Sequence, residues 1–155
     1  MPTEEQLQRA LVYRDAASEH LLSSRLLYSE ERYVLSAYVS GLAVECMLRA
    51  YRYRLDPDFD SRHDLDRLYD LAKFATIVPD PKLRQVELWL LTLVRLWSND
   101  LRFMSENALR RKWKKMRLDR GIKGDFVKAA VYRLQEASVG VVLLGAAQWN
   151  SSSTS

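Results

Sequence analysis

Glycine and proline are scarce in this chain, five and four of 155 residues. That scarcity argues against a turn-rich β fold and for long helices. Cysteine is scarcer still, with Cys46 alone. A single cysteine excludes an internal disulfide and a cysteine-rich zinc site, and it suits a reducing cytoplasm. The two histidines, His20 and His63, lack the Glu-x-x-His spacing of helical di-metal sites. There is no Gly-rich phosphate loop and no triad pattern for nucleophilic catalysis. Neither a metal nor a cofactor is therefore expected. No apolar run approaches the roughly 18 residues of a membrane span, so no membrane role is expected. The opening MPTEEQLQRA is too polar and acidic for a signal peptide.

What is present fits a soluble globular protein, with 48% hydrophobic and 28% charged residues. The length suits one domain over 1–148, followed by a flexible tail over 149–155. Net charge is only +4, but Arg110 to Lys123 (RRKWKKMRLDRGIK) holds eight basic residues and one acid. That segment is +7, which leaves about −3 for the rest.

Apolar residues recur at helical period over most of the chain. Leu7, Leu11, Leu21, Leu22 and Leu26 mark a first helix from about Glu4 to Ser29. Leu35, Val39, Leu42, Ala43, Cys46 and Ala50 mark a second, ended by the turn-forming DPDFDSR. A short third helix begins near Asp64, with Ser61 or Asp64 as its cap, and VPDPK closes it. A fourth runs from about Lys82 with Leu90, Leu93, Trp97 and Leu101 on one side, continuing or restarting at Ser105. The last, about Asp125 to Gln148, is apolar on nearly every face in its second half, which places it centrally or at a dimer contact. No strand pattern appears. The expected fold is all-α, an up-and-down helical bundle of four to five helices.

The stretches YVLSAYVSGLAVECMLRAYRYR and SRHDLDRLYDLA resemble a HEPN domain. Gly41, Ala43, Glu45, Arg49 and Ala50 fit that family's second helix, and His63, Asp64, Leu65 and Leu68 fit its His-Asp-Leu start to the third. The resemblance spans roughly residues 10 to 103. It implies a helical bundle, commonly a homodimer, that often travels with separately encoded nucleotidyltransferases or with toxin–antitoxin and defence systems. Many members are metal-independent ribonucleases, in which an Arg followed four to six residues later by a His polarises a phosphodiester and shuttles a proton.

In the fourth helix Arg95 stands where that arginine belongs, but Asp100, not a histidine, lies five residues on. Arg102 follows two residues later, with Phe103 beside it. An aspartate of ordinary acidity is a poor proton donor at neutral pH and repels phosphate. The ribonuclease pair therefore reads as degenerate. Should chemistry persist, Arg95, Asn99, Asp100 and Arg102 are the candidates, with His20 or His63 brought in by folding. Arg14 and His20 match the motif's spacing, but in the first helix and roughly 120° apart on it.

Glu45 is either a functional carboxylate or a semi-buried acid paired with an arginine on a facing helix, for which Arg95 and Arg102 are the candidates. His63 either contacts a ligand or packs before the third helix. Cys46 is a small core residue. In the basic segment, Leu109, Trp113 and Met116 share one helix face. Arg110, Arg111, Lys112, Lys114, Lys115 and Arg117 then offer phosphate contacts, with Trp113 stacking on a base. The same segment also suits an acidic protein partner or a plain solvated surface. The favoured reading is a non-enzymatic module that binds nucleic acid or a nucleotide, or a partner protein that does.

Overall fold

A computed structural model describes residues 1–58 and 63–151. Among the described residues six α-helices follow in order: α1 (Glu4–Ser29), α2 (Tyr33–Leu55), α3 (Leu65–Leu71), α4 (Asp80–Leu96), α5 (Glu106–Lys115) and α6 (Phe126–Ala147). Two 3-10 turns, Phe74–Ile77 and Asn99–Phe103, precede and follow α4. No strand occurs among the described residues. The all-α bundle is as expected, the short third helix included, and the restart at Ser105 brings the described helices to six.

Local chemistry sets the helix ends. Thr3 accepts the Gln6 N–H at 3.1 Å while the Gln6 side chain accepts the Thr3 N–H at 3.4 Å, a reciprocal cap on α1. α1 ends by reversing at Glu31, which holds φ 59°, with the Arg32 N–H donating to the Leu27 carbonyl at 2.8 Å. The start of α2 has no side-chain cap of its own. Glu106 of α5 supplies one across the fold, accepting the Val34 N–H at 3.0 Å. Asp64 caps α3 by accepting the Arg67 N–H at 3.0 Å, so of the two expected caps Asp64 acts, and Ser61 lies outside the described residues.

α1 and α2 form the most extensive helix pair, and α6 packs against α2 and α4. α2 is the central helix, buried along most of its length. Two glycines accept the aromatic side chains of α4 and the residue after it. Trp97 lies directly against Gly41 and Trp89 against Gly140, so close that a Cβ at either position would overlap the indole. Between α1, α2 and α6 sits a buried polar knot: the Gln135 amide donates to the Ser24 carbonyl, Ser24 Oγ and Ser36 Oγ at 2.8–2.9 Å. Ser24 and Ser40 share a hydroxyl bond at 2.5 Å. The three serine hydroxyls and the Gln135 amide nitrogen are all bonded, which is what makes their burial tolerable.

α4 stops at Leu96, short of the expected Leu101. Trp97 turns out of the helix at φ −101°, ψ 139°. Its indole N–H donates to the Tyr38 carbonyl at 2.9 Å, and its ring stacks on Tyr38 with 12° between planes. Ser98, Asn99 and Asp100 follow, residue types that favour turns over helix interiors. Leu101 is still buried, carried by the 3-10 turn.

The residue after α6 and its cap is held against the bundle. Trp149, expected in the flexible tail, is buried, with the Arg54 guanidinium 3.8 Å over its ring and Arg14 5.5 Å away. Burial pushes the Arg54 pKa down from its ordinary value. The tail's last four residues lie outside the described residues.

Candidate functional site

Two regions hold the residues singled out in the sequence. The first is a pocket of about 240 Å³ between the start of α3 and the end of α4. His63, Asp64, Leu65 and Asp66 form one wall. Val94, Trp97, Ser98, Asn99 and Asp100 form the other. The break in α4 creates this second wall, because it swings Ser98 to Asp100 out of the helical path.

His63 is fixed from below. Its Nδ1 lies 2.7 Å from Glu45 Oε1, and Glu45 is only 2% exposed. The same oxygen accepts the Arg49 Nε–H at 2.9 Å. A carboxylate only accepts, so His63 Nδ1 carries the proton and Nε2 is left as the ring's open valence. Glu45 Oε2 is buried with no hydrogen-bond partner. The expected pairing of Glu45 with Arg95 or Arg102 does not form. Both arginines are exposed, whereas Glu45 faces inward from α2 and takes Arg49 one turn along its own helix.

Arg95 stands exposed in the last turn of α4 and is not among the residues that line the pocket with Asn99 and Asp100. The four candidates therefore do not converge. Asn99 and Asp100 share the pocket, while Arg102 lies 4.5 Å over the ring of Phe103. His20 and Arg14 remain on α1, and Arg14 pairs with Asp15 at 3.4 Å. Cys46 is a core residue as expected, its thiol pushed up to about 11 by burial and then by the neighbouring Glu45 charge. Among the described residues, no group of three or more His, Cys, Asp or Glu is placed to hold a metal.

The second region is the basic segment. Glu106–Lys115 is helical, capped by Ser105, whose Oγ accepts the Ala108 N–H at 3.1 Å. Leu109 and Trp113 are fully buried. Trp113 thus anchors α5 and offers no face for a base to stack on, which corrects that part of its expected role. The exposed aromatic nearby is Phe103, at 75%. The sequence signal for it was its place beside Arg102, in a turn rather than on a core stripe.

α5 ends with Arg117 at φ 63°. The Leu118 N–H donates to the Trp113 carbonyl at 3.1 Å and the Arg117 N–H to the Lys114 carbonyl at 2.9 Å. This is the two-bond reversal in which a left-handed residue closes a helix. Leu118 is buried beyond it. Arg111, Lys114, Lys115, Arg117, Arg120 and Lys123 are exposed and Lys112 is half-buried. Arg110 is partly engaged, 3.2 Å from Asp125, the residue that caps α6.

Compared with known proteins, the HEPN domain model matches residues 10–107. No curated protein and no solved structure matches the chain. Among the described residues, no helix is long and apolar enough to cross a membrane.

Proposed function

The chain belongs to the HEPN family, and from that premise we propose that it is a non-enzymatic module that binds single-stranded nucleic acid or a nucleotide through its basic α5 surface. A homodimer, and a separately encoded nucleotidyltransferase or defence protein as partner, belong to the same proposal. The carrying observation is the burial of Leu109, Trp113 and Leu118. With those three turned inward, Arg111, Lys114, Lys115 and Arg117 face solvent together. A row of fixed cations neutralises phosphates and releases counterions, whatever the base sequence. Phe103, with Arg102 against it, is an exposed aromatic surface just before α5.

The test is fluorescence anisotropy of a labelled single-stranded RNA at several salt concentrations. Changing Arg111, Lys114, Lys115 and Arg117 to Ala together should weaken binding. It should also flatten the log–log salt slope by about 2 to 3, at roughly 0.7 per phosphate lost. Unchanged affinity with an unchanged slope rejects the proposal.

A second reading is a metal-independent ribonuclease with a non-standard site. One observation favours it: the pocket sets an imidazole held by a carboxylate against Asn99 and Asp100. Incubating the protein with RNA and EDTA, beside Arg95→Ala and His63→Ala, decides. Cleavage that either substitution abolishes replaces the binding module with an enzyme.

A further inference from the structure

We propose that the pocket between α3 and α4 reads a guanine base of single-stranded RNA, an assignment that rests on the nucleic-acid reading above. At about 240 Å³ the pocket is below the size of drug-binding clefts and suits one flat ring system. Leu65, Val94 and Trp97 give it apolar walls. Its polar groups are unspent. Ser98 Oγ is buried and has no hydrogen-bond partner. Neither Asn99 nor Asp100 has a side-chain partner among the described residues. His63 has its Nδ1 taken by Glu45, which leaves Nε2. His63 also sits at φ 67°, before α3 rather than at a helix end, so no helix C-cap accounts for its left-handed backbone. Ser98 Oγ has no exposed surface, so a bound group would be met by His63, Asn99 and the carboxylates.

Charge decides what that group is. Asp64, Asp66 and Asp100 all line the pocket, so phosphate is repelled from it. The phosphates of a bound strand are left to exposed arginines on neighbouring turns, Arg95 and Arg102. Asp64 is already committed to capping Arg67, which leaves Asp66 and Asp100 as open carboxylates, and of the two Asp100 stands next to Asn99 in the chain. Guanine alone among the RNA bases presents two adjacent donors, N1–H and N2–H, on its pairing edge. One carboxylate accepts both, and the adjoining O6 accepts from an amide such as that of Asn99. Adenine, cytosine and uracil each put an acceptor where the second donor is needed and leave an oxygen of Asp100 unpaired. A lysine or arginine side chain would satisfy Asp100 but offers no acceptor to the Asn99 amide N–H.

The experiment uses the full chain and labelled oligouridylates carrying one central guanine, adenine or inosine. The guanine oligomer should bind at least about 10-fold tighter than the adenine one, with inosine, which lacks the 2-amino group, between them. Asp100→Asn, an exposed position whose fold is checked by circular dichroism, should erase the preference and leave the salt slope unchanged. If no oligomer binds at any salt, the nucleic-acid reading itself fails and takes this one with it. If all oligomers bind equally, or Asp100→Asn keeps the guanine preference, only the pocket assignment fails. Free arginine that shifts tryptophan emission in the protein, but not in Asp100→Asn, with no guanine preference, overturns it in favour of a cation pocket.

Discussion

His63 Nδ1 and Glu45 Oε1 lie 2.7 Å apart, joining a loop at the surface to a carboxylate in the core. Glu45→Ala removes the one acceptor shared by His63 and Arg49. Urea unfolding should register a loss of about 2 kcal/mol, below the usual range for a broken buried pair because both partners reach solvent. His63→Ala should cost less, about 1 kcal/mol, since Glu45 keeps Arg49. Equal costs for the two would mean that the carboxylate does not organise the pair.

Gly41→Ala should be the most damaging of the glycine substitutions. Its Cβ would fall 2.0 Å from Trp97 Cδ1, and Trp97 is tied in place by its indole N–H bond to the Tyr38 carbonyl. A loss of about 3 kcal/mol and a red shift of tryptophan emission are expected. Gly145→Ala meets Met47 Cγ at 2.6 Å and Sδ at 2.8 Å in a fully buried side chain, so about 2 kcal/mol is expected there.

Cys46 should resist alkylation in the native protein at pH 8 and react fully after denaturation. Its thiol is raised from 9.0 to about 11, so the folded state favours the neutral form. In the unfolded chain it ionises at the lower value. The associated stability is therefore complete below pH 9 and lost as pH rises towards 11. Cys46→Ala should flatten that alkaline loss in a pH series of urea melts.

Arg117→Gly should raise stability by about 1 kcal/mol, because glycine occupies the left-handed region without the penalty of a side chain. The same change should weaken RNA binding. Lys73→Gly, at φ 53° after α3, should also stabilise but leave RNA binding as it was. Paired melting and anisotropy measurements separate the two effects.

Helix positions were legible where periodicity and caps agreed. Asp125 and Thr3 cap helices within a residue or two of where the apolar stripes begin. The end of α4 was not legible, because Leu101 keeps the stripe while the backbone has already left the helix. The turn-favouring Ser98, Asn99 and Asp100 mark a break, but the place Trp97 takes against Gly41, far off in sequence, is visible only in the fold. Trp113 was read as a stacking aromatic, while its stripe with Leu109 and Met116 equally suited a core-facing anchor, and only the packing of the helices decides between them. The polar knot around Gln135 was invisible for a similar reason: single serines on separate helices carry no pattern until the helices meet. Glu45 was recognised as a carboxylate needing a partner. The partner was misassigned because the nearest arginine, Arg49, lay on the same helix.

The turn closed by Trp113, Arg117 and Leu118 has one more implication. Its cations stand on a preformed corner rather than on a loose strand, so little ordering is left for the moment of contact. On the proposed reading, an incoming chain would have to fit a spacing already set, and discrimination among partners of equal charge would follow from shape.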